Sequence, residues 1–292
     1  TINQASAFRT MLAVPVLAAA FGFMLPMNVP SGRSTVRMAV VDEFVISKDI
    51  KDVRVFDGDY AKEICEEVTE VGVACIADKD SFSLMIPGGS VVAALAEMDP
   101  ASLDFSKVHI FLANEKIPSL PCISGALDVA SKLGVPAENV HGFGDGSPAE
   151  VAESYTALLS SHPSVDNEGP IPSVDMMLLG TGPDGHCGCI FPDSAEMKAT
   201  GTGKVVLAGN DERADGDFVA VSMDVMCAAQ FVLVSAAGAG RAEMVTKALS
   251  GEFGSYECPA GAVEAQEQTL WFTTTDAVEA FQKEMEAEDE AE

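Results

Sequence analysis

The 292-residue sequence predicts an α/β protein with a mostly parallel sheet and helices on both faces. Short apolar runs of strand length recur through the body, at 82–86, 108–112 and 174–179. Segments with helically spaced apolar residues separate them, the alternation that builds βαβ units. Two of the runs end in Gly-rich turns, Pro87-Gly88-Gly89-Ser90 and Gly180-Thr181-Gly182-Pro183-Asp184-Gly185. Turns at C-terminal strand ends are where open α/β sheets place their sites.

The elements follow in chain order. Residues 52–56 alternate and read as a first strand. Asp59 can cap a helix running to about residue 78, with Ile64, Val68, Val71 and Cys75 on one face. The strand at 82–86 leads through the Gly-Gly-Ser turn into a helix over 91–98, a geometry in which main-chain amides hold phosphate. The third strand, 108–112, runs into Ala113-Asn114-Glu115-Lys116. A helix over 124–133, a short strand over 139–143 and a helix over 148–160 follow. A loop rich in Ser, Pro, Gly and Asp spans 161–173. Beyond the central strand at 174–179, strands are expected over 204–209, 218–223 and 230–235. Gly238-Ala239-Gly240-Arg241 opens a helix through Leu249, and Leu270-Trp271-Phe272 marks the last strand.

The central strand carries the chemistry. Glycines at 180, 182 and 185 let the backbone approach a ligand closely. His186 follows at once, an imidazole able to act as a general base near neutral pH. Three readings compete: a tight connection whose His186 only bonds to backbone, a dinucleotide G-x-G-x-x-G turn, and an acid/base site built on Asp184 and His186. Pro183 inside the turn and Pro192 soon after it count against the dinucleotide turn. The chemistry of the residues favours the acid/base site.

Composition narrows the class. Lys and Arg number 17 against 45 Asp and Glu, a formal net charge of −28. That excess opposes nucleic acid and anionic membrane surfaces as partners, and an anionic substrate needs a local positive site. Seven cysteines form no evident disulfide framework and fit a reducing compartment. Cys187 and Cys189 form a C-x-C beside His186 but lack a second Cys/His cluster, so they read as packing residues and not as a metal site.

The stretch L-L-G-x-G-x-D-G-H followed by Phe191-Pro192-Asp193-Ser194 resembles the signature of 6-phosphogluconolactonases, relatives of the glucosamine-6-phosphate deaminases. The resemblance runs from about residue 53 to about 280. It implies a Rossmann-like three-layer sandwich of the lactonase/deaminase type. It also implies hydrolysis of 6-phospho-D-glucono-1,5-lactone to 6-phosphogluconate, in the oxidative pentose phosphate pathway, with no cofactor and no metal. His186 would be the base and Asp184 its orienting partner, with amides near 180–182 holding the oxyanion. Gly88, Gly89, Ser90, Glu115, Lys116, Gly180, Gly182, Gly185 and Arg241 would bind the phosphorylated sugar lactone.

The sequence departs from the family pattern in several places. Pro87 replaces the first Ser of the S-G-G-S-T-P loop, and Val91-Val92 replace its Thr-Pro. Lys116 stands for Arg, Phe218 falls where a phosphate-clamp Arg is usual, and Thr274 stands where Asp is usual. The altered clamp motivates a rival expectation: a non-catalytic paralogue whose surface serves a protein partner in the plastid. Amino-sugar-phosphate deamination or isomerisation is disfavoured by the Phe-Pro-Asp-Ser ending.

Residues 1–41 contain no acidic side chain but include Arg9, Arg33 and Arg37. The apolar run at 11–25 is interrupted by Pro15 and Gly22 and falls short of the roughly 20 residues of a membrane span. Ala5-Ser6-Ala7-Phe8 resembles the signal/transit junction of algae with secondary plastids, and the segment 34–39 resembles a transit-peptide processing site. The expected organisation is a targeting leader at 1–38, one α/β domain at 39–283 and an acidic tail at 284–292. The expected location is the plastid stroma, with the cytoplasm as runner-up and no membrane attachment of the mature form.

Overall fold

The computed structural model describes residues 40–46 and 51–289. The expected leader, with its apolar run, lies outside the described residues, as do residues 290–292. The strands are β1 (Val40–Ile46), β2 (Lys51–Phe56), β3 (Phe82–Ile86), β4 (Val108–Leu112), β5 (Asn114–Lys116), β6 (Val140–His141), β7 (Met176–Gly180), β8 (Val206–Asp211), β9 (Gly216–Val221), β10 (Phe231–Ala236) and β11 (Gln268–Thr274). The helices are α1 (Ala61–Lys79), α2 (Ser90–Leu95), α3 (Pro121–Leu133), α4 (Pro148–Leu159), α5 (Met223–Ala228), α6 (Ala242–Ser250) and α7 (Thr275–Asp289).

Eight strands form one sheet in the order β1-β2-β11-β10-β7-β3-β4-β6. All its recorded pairings are parallel except that of β1 with β2. The central strands β3, β7 and β10 are nearly continuous apolar runs because both sheet faces are covered. The strand order reverses between β3 and β7. From β3 the chain steps outward to β4 and β6, whereas from β7 it steps the other way, to β10 and β11. The β3–β7 ladder holds only two pairs, Leu84↔Met176 and Met85↔Met177. Two strands that share so few bonds at a reversal leave a crevice at their C-terminal ends.

Local chemistry explains the helix boundaries. Asp59 accepts the Ala61 amide at 3.0 Å ahead of α1, and Asp80 ends that helix in the left-handed conformation. Ser147 and Glu150 form a capping box on α4. Pro121 starts α3 and Gly134, at φ 83°, stops it. Asp175 fastens β7 to β3: one carboxylate oxygen takes the Ser83 amide and hydroxyl at 2.8 and 2.9 Å, and the other meets Lys79 Nζ at 2.7 Å.

The structure departs from expectation at the edges. The edge strand β1 is added, and β5, β9 and β8 form a separate antiparallel sheet. Residues 284–289, expected as the start of an acidic tail, continue α7. Residue 223 begins α5 rather than ending a strand, because Ser222 caps that helix by accepting the Val225 amide. Among the described residues no helix is long and apolar enough to cross a membrane.

Candidate active site

A cleft of about 420 Å³ opens where the strand order reverses. The turn after β3 supplies Pro87, Gly88 and Gly89; the turn after β7 supplies Gly180, Thr181 and His186. Asn114, Lys116, Cys189 and Arg241 complete the functional part of its wall. Among the described residues, two cations and an imidazole line the cleft and no carboxylate does, in a chain of net charge −28. That is the local positive site which an anionic ligand requires.

His186 is held in a defined state. Its Nδ1 lies 2.6 Å from Asp184 Oδ1, and that oxygen also accepts the His186 main-chain N–H at 3.2 Å. The carboxylate accepts a hydrogen bond from Nδ1–H, which leaves Nε2 as the basic nitrogen. Phe191 packs against the imidazole at 4.7 Å between ring centroids. Arg213 also lies over the Phe191 ring, its guanidinium carbon 4.6 Å from the ring centre. The same guanidinium donates to Pro192 O and grips Asp211 through Nε and Nη2 at 2.9 and 2.6 Å. The Phe-Pro segment is thereby held by contacts with both His186 and a fixed cation.

The glycines divide by role. Gly180 lines the cleft, whereas Gly182 and Gly185 do not, contrary to the expected substrate-binding role. A Cβ on Gly182 would overlap the His186 ring and come within 2.6 Å of Asp184 Oδ1, so this glycine makes room for the pair. Gly185 takes φ 86°, which lets the turn reverse. The Gly182 amide donates to His186 O at 2.9 Å, so it is not available for an oxyanion as expected. On the facing wall Gly89 adopts φ 85° ahead of α2, which Ser90 opens.

Of the expected phosphate ligands, Lys116 and Arg241 both reach the cleft. Arg241 is braced by Thr181 O and Ala237 O, each at 2.8 Å through Nε and Nη1, and neither bond uses Nη2. Lys116 Nζ pairs with Asp215 at 2.5 Å on the rim, a bond that raises the lysine pKa and lowers that of Asp215. Glu115 behaves differently from expectation. Fully buried, it accepts the Lys116, Cys122 and Ile123 amides at 2.9, 3.0 and 2.8 Å, so its carboxylate organises the start of α3 and does not line the cleft.

Several departures from the family pattern find an explanation. Phe218 is fully buried and contributes no charge, while Arg213 brings a cation to the loop that carries His186 and Phe191 from the acid-rich turn nearby. Thr274 Oγ1 accepts the Gly238 amide at 2.8 Å and Asp276 accepts that of Ala239 at 2.9 Å, so the turn before α6 keeps its anchor. Asn114 is a site residue that sequence reasoning passed over. Its Nδ2 points to Cys189 Sγ at 3.1 Å, and its buried Oδ1 has no partner in the structure. Cys187 is buried against Met226 while Cys189 lines the cleft, so the C-x-C pair divides between core and site. Burial pushes the Cys189 thiol up to about 11.

Comparison with known proteins places this geometry. The family described as glucosamine-6-phosphate isomerases/6-phosphogluconolactonase matches residues 57–271. The chloroplastic 6-phosphogluconolactonase 3 of Arabidopsis thaliana is 25% identical over 236 residues, covering 76% of this chain and 68% of the relative. A 6-phosphogluconolactonase of Streptomyces coelicolor is 26% identical over 212 residues, covering 67% and 80%. The solved 6-phosphogluconolactonase of Trypanosoma brucei superposes with a TM-score of 0.68 at 21% identity, covering 78% of this chain and 97% of that one.

Proposed function

Because the chain belongs to the family of glucosamine-6-phosphate isomerases and 6-phosphogluconolactonases, we propose that it hydrolyses 6-phospho-D-glucono-1,5-lactone to 6-phosphogluconate. The observation that carries this reading is the carboxylate-free cleft, in which the Asp184-oriented His186 stands in the same cavity as Lys116 and Arg241. The lactone is an anionic phosphate ester bearing an electrophilic carbonyl, so it needs a base at one end of the site and cations at the other.

His186 Nε2 takes a proton from water as the water oxygen bonds to the lactone carbonyl carbon. The tetrahedral oxyanion collapses and breaks the ring C–O bond. The imidazolium then returns its proton to the departing ring oxygen, which regenerates neutral His186. Asp184 fixes the tautomer and steadies the transient positive charge. Arg241, Lys116 and the Gly88–Gly89 turn hold the phosphate. The Phe191-Pro192-Asp193-Ser194 ending, which resembles the lactonase branch, and relatives named 6-phosphogluconolactonase favour lactone hydrolysis over amino-sugar-phosphate deamination. Relatives named chloroplastic and the acid-free leader support residence in a plastid.

The test is conversion of freshly formed 6-phosphogluconolactone, followed against buffer alone because the lactone also opens spontaneously. Acceleration by the full chain is expected. Parity with buffer would overturn the reading and promote the non-catalytic paralogue.

A further inference from the structure

Three of the four histidines in the chain converge far from His186, on the sheet edge formed by β4 and β6. His109 comes from β4, His141 from β6 and His162 from the turn after α4. None lines the cleft. Their nearest ring nitrogens all lie within 4.8 Å of one another, and His109 Nδ1 is 3.3 Å from His141 Nε2. In the metal-free chain that contact is a ring-to-ring hydrogen bond, and because two imidazole nitrogens on one tetrahedral ion at about 2.05 Å also stand roughly 3.3 Å apart, an ion would take the place of the shared proton with only a small turn of the rings. The third nitrogen has only to swing inward on a turn.

We propose that His109, His141 and His162 form a binding site for a borderline divalent transition cation, with Zn²⁺ as the natural occupant. The ligand set is all nitrogen, which suits zinc, copper or nickel and not the oxygen-seeking magnesium or calcium. The surroundings are those of a built site. His162 Nδ1 accepts the Ser164 main-chain N–H at 3.2 Å and lies 2.8 Å from Ser164 Oγ, which gives the ring an outer partner. The Phe111 ring stacks on His141 at 4.6 Å and meets His162 edge-on at 5.1 Å, forming an apolar floor. Tyr155 fixes the strands beneath, donating to His141 O at 3.0 Å and accepting the Leu112 amide at 2.8 Å. All three rings are partly exposed, which leaves space for water as a fourth ligand.

The structural gain is at the edge strand. β6 is two residues long and pairs with β4 only through Ile110↔Val140 and Phe111↔His141. An ion here would tie that strand to its neighbour and to the end of α4.

The full chain, stripped with chelator, is titrated with Zn²⁺ by calorimetry and with Co²⁺ by absorption. Expected results are one saturable equivalent, a raised thermal midpoint with zinc, and a cobalt spectrum without a thiolate charge-transfer band. His162→Ala and His109→Gln are expected to weaken binding at least about 10-fold each, with lactone hydrolysis unchanged. Absence of saturable heat up to millimolar metal would overturn the proposal, as would a thiolate band or an affinity that neither variant moves. Should the variants fail to fold, the cobalt spectrum of the unaltered chain still decides.

Discussion

Asp184 and His186 form a closed two-point contact: one carboxylate oxygen holds both the ring Nδ1 and the main-chain amide of the same histidine. A residue gripped twice across a two-residue span cannot turn its ring without losing the bond. Asp184→Asn presents an amide whose carbonyl or NH₂ can face Nδ1, and it no longer enforces one tautomer. The expected outcome is a fall in kcat with little change in KM, while His186→Ala falls by roughly 10²–10⁴, the usual contribution of a positioned base. Both variants should keep the thermal midpoint, because both side chains are partly exposed. Unchanged kcat in His186→Ala would remove it from catalysis.

Gly182→Ala tests the same contact by volume. The backbone there tolerates Ala, but the new Cβ occupies the place of the His186 ring. Activity should drop by about 10² or more while stability changes by only about 0.5–1.5 kcal/mol, the value of one hydrogen bond. Thermal melts set beside initial rates separate the two effects; a fully active Gly182→Ala would show that the ring can work from elsewhere.

Phosphate affinity should rest on Arg241. With Phe218 in place of a clamp arginine, 6-phosphogluconate is expected to bind weakly. Arg241→Ala should cost a further 1.5–3 kcal/mol, or about 10- to 10²-fold in Kd. Calorimetric titration reads this directly, and tight binding indifferent to Arg241→Ala would place the phosphate elsewhere.

The rim pair of Lys116 and Asp215 competes with the ligand for one cation. Exposed pairs contribute at most about 1 kcal/mol, so a phosphate can displace Asp215. Asp215→Asn should tighten 6-phosphogluconate binding by no more than about 5-fold, and Lys116→Met should abolish that gain. Weaker binding in Asp215→Asn would mean that the pair positions Lys116 instead of restraining it.

Cys189 lines the cleft yet should be chemically quiet. Its thiol is pushed up to about 11, chiefly by burial, so below that pH it stays protonated and the thiolate fraction rises about tenfold per pH unit. Alkylation at pH 8 should run on the order of 10² slower than that of an unperturbed thiol. Mass-spectrometric labelling rates across pH 7–10 check the slope; fast labelling at pH 7 would contradict the assignment.

The central strands were legible because burial on both faces writes continuous apolar runs, as at 82–86 and 108–112. The edges were not: β1 and β5 are short or partly polar, and β5 exists only because β9 pairs with it. Asp184 and His186 were readable from spacing within one turn. Glu115 was misread because a carboxylate beside a cleft looks the same in sequence whether it meets ligand or caps a helix. Arg213 was hidden among acidic neighbours, and only the fold brings its guanidinium over Phe191. The three histidines at 109, 141 and 162 carry no sequence spacing at all; strand order alone assembles them.

The carboxylate-free cleft sits in a body that repels what the cleft attracts. An incoming phosphate first meets the long-range field of 28 excess negative charges and only at close range the two cations. Ionic strength screens the distant field before the near one, since the Debye length falls to about 8 Å at physiological salt. Most electrostatically assisted enzymes slow as salt is added. Here moderate salt should raise kcat/KM, by speeding encounter, before higher salt weakens the phosphate contacts and brings it down again. The substrate's approach is thus tuned by its ionic surroundings, with a maximum at intermediate strength.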